Sequence, residues 1–348
     1  MSIIAALLFI SCEKEKKQDE EGIPINTKGI YVINEGGFQQ STGDVTLMNV
    51  EGMTYPSLFK LINHRPLGDI FQSLCVINNT GYLLVNNSQK IEVVSMSDFR
   101  SVGVINGISG PRFMLKINNA KAYVSDWGSN SVKIIDLSNN SISGSIPTGS
   151  GPETMIMQNN KVYVTNVGGF GNDSTVTIIN PGSDQVIKTL MVGLNPNSIC
   201  ADTNGMIHVL CSGTVGPDWV ASTADDIGGK LLTIDPSNDS IISTYDFAQF
   251  EHPVKMSINA SGDKLYYLLG ISNTTGKITE LDIHALPPGN ILVNREFYGL
   301  GIDPSKAAIY GSTPAFTSNS YVLHYKTDGS FIDSVEAGIG ANGFYFYY

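Results

Sequence analysis

The side chains able to do chemistry in this sequence are few and scattered. Its five histidines, His64, His208, His252, His284 and His324, include no pair at metal-ligand spacing and no His-Glu-x-x-His pattern, so no metal site is expected. His208 lies in an apolar run and reads as a packed residue, whereas His252 precedes Pro253 in a loop pattern and is kept as a ligand contact. Asp69, Arg112 and Glu153 are of the types used in general acid–base catalysis, but no activated nucleophile accompanies them. The adjacent Asp225 and Asp226 supply oxygens suited to a hard cation, yet no ligand spacing surrounds them, and a solvated loop is the expectation. Gly168-Gly169-Phe170-Gly171 lacks the following helix and Lys-Ser/Thr that a phosphate cradle needs. Cys75, Cys200 and Cys211 sit in apolar runs without a Cys-x-x-Cys motif, as small buried hydrophobes do. These residues imply no catalytic centre and no cofactor.

Binding is therefore the chemistry to expect, and composition narrows the ligand. Among 348 residues, 21 Lys plus Arg face 32 Asp plus Glu, for a formal net charge of −11. Phosphate neutralisation needs clustered cations, so nucleic acid is excluded as a partner. At 42% apolar residues the chain can bury a core. No run of 18 apolar residues exists, so no helix spans a bilayer.

The elements that would position a binding site come from an internal repeat. An apolar–aromatic strand recurs as Gly29-Ile30-Tyr31-Val32-Ile33-Asn34, Gly81-Tyr82-Leu83-Leu84-Val85, Lys121-Ala122-Tyr123-Val124-Ser125 and Lys161-Val162-Tyr163-Val164-Thr165-Asn166. Weaker copies follow around Ile207, Tyr266 and Tyr310, and the markers from Tyr31 to Tyr310 are spaced by 51, 41, 40, 44, 59 and 44 residues. A period near 40 made of strands is the size of a four-stranded propeller blade, and seven copies predict an all-β, seven-bladed β-propeller. The fourth copy shows the plan: an inner strand from Gly151, a turn at Asn159-Asn160, a second strand, a third strand at residues 174–180, a Pro181-Gly182 turn and an outer strand. The first copy lacks an inner strand, and residues 338–347 at the C-terminus match one. The C-terminal strand is thus expected to complete the first blade and close the ring, leaving no free sheet edge.

Aligning the copies places Gln72, Arg112, Glu153, Asn197, Val254, Tyr298 and Asn342 at one equivalent position, at the channel mouth. The loops after the second strands add Phe38, Trp127, Phe170, Trp219 and Phe316 to the same face, so both tryptophans of the chain fall there. Rigid aromatics beside hydrogen-bonding side chains suit a large, partly polar ligand. The alternative is that these aromatics only cap blade ends. The predicted ligand face comprises Phe38, Asp69, Gln72, Arg112, Trp127, Glu153, Phe170, Asn197, Trp219, His252, Tyr298 and Asn342.

Ahead of the repeat, an apolar run of signal-peptide length ends at Leu8-Phe9-Ile10-Ser11-Cys12. It resembles a bacterial lipobox, although no Lys or Arg precedes it; the resemblance implies a signal peptide over residues 1–11 and lipidation of Cys12. The mixed-charge run at residues 13–21 reads as a solvated tether, giving residues 12–28 as lipidated Cys plus tether and 29–348 as propeller. Charged residues directly after the Cys resemble the surface-export signal of Bacteroidetes lipoproteins.

Lys161-Val162-Tyr163-Val164-Thr165-Asn166 resembles the YVTN family of propellers, a signature of fold rather than chemistry. Asn34-Glu35-Gly36-Gly37-Phe38-Gln39, Leu67-Gly68-Asp69-Ile70-Phe71-Gln72-Ser73 and Val85-Asn86-Asn87-Ser88 resemble the Bacteroides surface-layer propeller lipoproteins, over residues 29–348. That group includes surface proteins that capture cobalamin and related corrinoids and pass them to an outer-membrane TonB-dependent transporter. The resemblance implies a non-enzymatic, lipid-anchored capture protein at the outer membrane. A protein- or glycan-binding surface scaffold and a propeller lyase or hydrolase stand as alternatives.

Overall fold

The computed structural model describes residues 26–216 and 222–348. The lipobox-like run, Cys12, the charged tether and Trp219 lie outside the described residues. The described residues form seven four-stranded antiparallel sheets. Six blades are built from consecutive strands, with inner strands Phe71–Ile77, Pro111–Lys116, Pro152–Gln158, Pro196–Ala201, His252–Ile258 and Gly299–Asp303. The first blade takes its inner strand from the C-terminus: Ala341–Tyr347 pairs antiparallel with Gly29–Asn34, Phe344 opposite Val32 and Tyr347 opposite Gly29. The expected closure is present.

Core packing lies between blades, which explains why the second strands are apolar on both faces. In Lys161–Asn166, Val162 and Val164 pack with Tyr123 and Val132 of the third blade, while Tyr163 packs with Ile207 and Val209 of the fifth. The recurrent tyrosine always leans toward the next blade: Tyr31 in the cluster of blades one and two, Tyr82 in that of two and three, Tyr310 in that of seven and one. This corrects one alignment. In the fifth blade Ile207 faces back to the fourth, and the tyrosine's place belongs to His208, opposite Thr233 as Tyr163 is opposite Ile178.

The irregular spacings have local causes. A helix, Leu58–Asn63, is inserted where the first blade's outer strand is cut to Thr54–Tyr55, lengthening the step to Tyr82. The 59-residue step contains the 18 residues between the strands Ile207–Cys211 and Lys230–Asp235. The Asn159-Asn160 turn adopts φ of 50° and 55°, the left-handed region that asparagine tolerates better than most residues.

Candidate functional site

Each inner strand enters at the mouth end and leaves at the opposite end, as the pairings Pro152 with Asn166 and Gln158 with Lys161 show for blade four. At the mouth end the ladder breaks. The pairing slips between Phe71 and Ser73, Pro111 and Met114, Pro152 and Met155, Pro196 and Ser198, and Val254 and Ser257; on the closing strand Asn342 is skipped between Ala341 and Gly343. The skipped residues include Gln72, Arg112, Glu153, Asn197, Lys255 and Asn342, one on each of these strands, and a bulge re-aims the side chain it carries. Proline precedes three of them, Arg112, Glu153 and Asn197, where its missing N–H costs no ladder bond. Tyr298 stands just before its unbroken inner strand and joins the same ring of residues.

These side chains line a cavity of about 590 Å³, within the range of small-molecule sites. Two charged assemblies face it. On blades two to four, Arg112 makes a forked pair with Glu153, Nε to Oε2 at 2.8 Å and Nη2 to Oε1 at 2.7 Å, and also donates to Gln72 Oε1. Trp127 Nε1 donates to Glu153 Oε2 at 2.8 Å, and the guanidinium lies 3.9 Å from the centre of the Trp127 ring. Burial opposes the charge on Arg112, but Glu153 outweighs it and holds the guanidinium pKa above its ordinary value. On blades six, seven and one, Glu35 accepts from Tyr298 OH at 2.7 Å and from Asn342 Nδ2 at 2.6 Å, while Lys255 Nζ donates to the Asn342 backbone oxygen at 2.9 Å and to its side chain. Burial raises the Glu35 carboxyl above its ordinary value. Burial also brings the Lys255 amine down to about 8, with Glu35 opposing and Arg112 adding to the drop.

Outside this polar ring stand exposed aromatics. Phe170 is 96% exposed and meets Trp127 edge-on at 5.9 Å; Phe316 meets Tyr298 edge-on at 4.8 Å; Phe38 is also exposed. Phe170 owes its position to a close backbone crossing. Val167 and Gly168 donate to Gly151 O and Ser150 O, both at 2.9 Å, and a Cβ on Gly151 would lie 2.1 Å from Gly169 N. The glycines thus permit a tight loop contact that lifts the phenylalanine.

Seven of the twelve predicted face residues line the cavity: Gln72, Arg112, Trp127, Glu153, Asn197, Tyr298 and Asn342. Phe170 and Phe38 belong to the aromatic rim, and Trp219 lies outside the described residues. Three expectations are corrected. Asp69 does not face the cavity; its carboxylate accepts from Gln39 N at 2.9 Å and from Asn87 Nδ2, and its own N–H donates to Ser88 Oγ at 2.8 Å. It ties the three signature segments together, and Phe71 N donating to Glu35 O at 3.2 Å completes the knot that sets Glu35 beside the mouth. His252 is fully buried, with Nδ1 2.9 Å from Ser212 O and Nε2 3.4 Å from Asp226 Oδ2. Asp226 is itself buried and accepts from Ser222 N at 2.8 Å, so the pair ties Ser212 and Ser222 to the sixth blade's inner strand, and Asp226 is not the solvated carboxylate expected.

Two mouth residues escaped the sequence reading. Glu35 stood in a recognisable signature without a role. Lys255 was displaced by Val254, because the break in blade six falls further along the strand than its aligned position. A lysine between Val254 and Met256 in an inner strand was the available signal.

Residues 28–346 match the family described as a domain of unknown function, DUF5074. The chain belongs to this family. None of the curated proteins matches it. Solved structures share the fold at low identity. A quinonprotein alcohol dehydrogenase-like protein from Bacteroides thetaiotaomicron aligns with TM-score 0.68 and 14% identity, over 92% of this chain and 78% of that one. The periplasmic gluconolactonase of Pseudomonas aeruginosa gives 0.64 and 11%, over 92% and 99%. A putative 6-phosphogluconolactonase from Bacteroides fragilis gives 0.61 and 10%, over 93% and 99%. These likenesses establish the propeller fold, which binding proteins and enzymes share.

Proposed function

We propose that this DUF5074 propeller captures a bulky soluble nutrient on its mouth face, with a corrinoid as the first candidate, and passes it on to an outer-membrane transporter. The observation that carries the reading is the joining of a 590 Å³ cavity, ringed by polar side chains over an apolar floor, to a rim of exposed aromatics. A ligand larger than the cavity would lower a polar edge into it and lay an apolar face on Phe38, Phe170 and Phe316. Arg112 is neutralised by its forked pair with Glu153, and across the mouth burial pushes both Lys255 and Glu35 toward their neutral forms, which suits a ligand rich in amides more than one of high charge. The lipobox-like run ending at Cys12 and the charged residues after it support a lipid anchor at the outer membrane surface.

Titration calorimetry of the soluble chain beginning after Cys12, with cobalamin and cobinamide, tests the proposal. Saturable heat with either is expected; neither heat nor a thermal shift with both overturns the corrinoid assignment. A second reading, a surface scaffold for a protein or glycan, draws on the same exposed phenylalanines. It predicts capture of a membrane protein or glycan with no small-molecule affinity.

A further inference from the structure

Lys255 differs from every other group at the mouth. It occupies a bulge with φ of 57°, a left-handed conformation that is costly for a residue with a side chain, so the fold holds this side chain in the cavity against local preference. Among the described residues no carboxylate lies within ion-pair distance of its Nζ, whereas Arg112 and the lysines of the opposite end, Lys121 and Lys161, each hold one. Its neighbours are the backbone and side-chain oxygens of Asn342 and the face of the Tyr298 ring, 4.6 Å away. A confined amine without a counter-ion is the setting in which lysine becomes a nucleophile.

The groups around it set an acid beside the amine. Asn342 receives the amine on its oxygens and donates through Nδ2 to Glu35 Oε1 at 2.6 Å; Glu35 Oε2 in turn accepts from Tyr298 OH at 2.7 Å. The charged and titratable groups acting on the amine are Glu35, Arg112 and Glu153, with the Tyr298 phenol held protonated by burial. Burial favours the neutral acid at Glu35 and the neutral amine at Lys255, the two forms an addition reaction needs.

We propose that Lys255 captures ligands bearing an aldehyde or reactive ketone, open-chain reducing sugars among them, as a reversible imine inside the mouth cavity. The Nζ lone pair attacks the carbonyl carbon and the C–O π electrons move to oxygen. A proton passes from nitrogen to that oxygen, giving a carbinolamine. Glu35 then protonates the hydroxyl, the C–O bond breaks, water leaves, and the nitrogen lone pair forms C=N. The iminium proton returns to Glu35, and no electron is lost or gained. The cavity volume admits a carbonyl compound of several carbons, and water re-enters to release it. The proposal rests on the mouth being the ligand site but not on the corrinoid assignment.

Reductive trapping tests it. The chain is incubated with glycolaldehyde and sodium cyanoborohydride between pH 6 and 9, and adducts are mapped by mass spectrometry. Lys255 is expected to be labelled at least tenfold faster than the exposed Lys60 and Lys326, with the advantage greatest near pH 8. Glu35→Gln, whose amide oxygen still accepts from Asn342 while its nitrogen can donate to the Tyr298 hydroxyl oxygen, is expected to slow labelling at Lys255 alone. Lys255→Met should retain the circular dichroism of the parent and lose the fast-labelled site. Labelling of Lys255 at or below the rate of the exposed lysines overturns the proposal, as does an unchanged rate in Glu35→Gln. Calorimetry with cobalamin on the same preparation separates the two readings: heat without a Lys255 adduct removes the imine and leaves corrinoid capture, and an adduct without heat does the reverse.

Discussion

The two ends of the propeller use charge in opposite ways. At the end away from the mouth, the motif Lys-x-Tyr on a second strand grips a turn of the next blade. Lys161 Nζ donates to Asp239 Oδ1 at 2.5 Å and to Pro236 O at 2.8 Å, and Tyr163 OH donates to the same carboxylate. Lys121 and Tyr123 hold Pro181 and Asp184 in the same manner one blade earlier. Both of these lysines meet their partners across a blade boundary, whereas in blade six Lys264 and Tyr266 donate to Glu280 of their own blade; the arrangement repeats in blades three and four because it solves the same packing problem twice. At the mouth the seven equivalent places carry six different residue types, glutamine, arginine, glutamate, lysine, tyrosine and, twice, asparagine. Repetition marks what the ring needs for closure, and its absence marks what a ligand would read. The YVTN-like signature belongs to the first kind, which is why it names a fold and no chemistry.

The largest expected effect lies at the mouth. Glu153→Ala leaves Arg112 nearly enclosed with only Gln72 and the Trp127 ring, and urea unfolding should show a loss of about 3–5 kcal/mol. A change below about 1 kcal/mol would mean that the forked pair is solvated like any surface pair. Next comes the opposite end: Asp239→Ala removes the acceptor of both Lys161 and Tyr163 and is expected to cost about 1.5–3 kcal/mol without altering ligand affinity.

The ends also titrate in opposite directions. Lys255 has its pKa lowered from 10.5 to about 8, so between those values the folded chain binds fewer protons than the unfolded one, and this group adds stability as pH rises. Tyr163 and Tyr123 are raised above 10 by burial and by their Asp partners, so their contribution is present below pH 10 and is lost as pH climbs beyond it. The unfolding free energy of the parent relative to Lys255→Met should therefore grow from pH 8 to pH 10; the thiols and phenols are common to both proteins and cancel. A flat difference would show an amine of ordinary pKa. The smallest effect on stability is expected of Phe170→Ala, within about 0.5 kcal/mol because the ring is exposed, together with roughly tenfold weaker ligand binding from the lost aromatic contact. Unchanged affinity would reduce the rim to a blade cap.

The ring itself was legible because each blade repeats an apolar strand and turn of fixed length, and because the missing first inner strand had its match in residues 338–347. The mouth was legible wherever a copy kept its register, as at Arg112 and Glu153. It was lost at Lys255, where the ladder breaks after Val254, and at His208, where a one-residue offset exchanged the two faces of a strand. Asp69 and His252 carried the right chemistry in the wrong direction: sequence placed them near the mouth, but each satisfies a neighbouring loop. Side-chain direction at a strand end depends on bulges and backbone acceptors that no spacing encodes.

Hydrogen–deuterium exchange with and without cobalamin compares the two ends in one experiment. The expected result is slowed exchange across residues 71–73, 112–114 and 153–155 at the mouth, with residues 181–184 and 236–239 unchanged. Protection centred on those turns, or none at the mouth under saturating cobalamin, would contradict the assignment of ligand capture to the varied end of the ring.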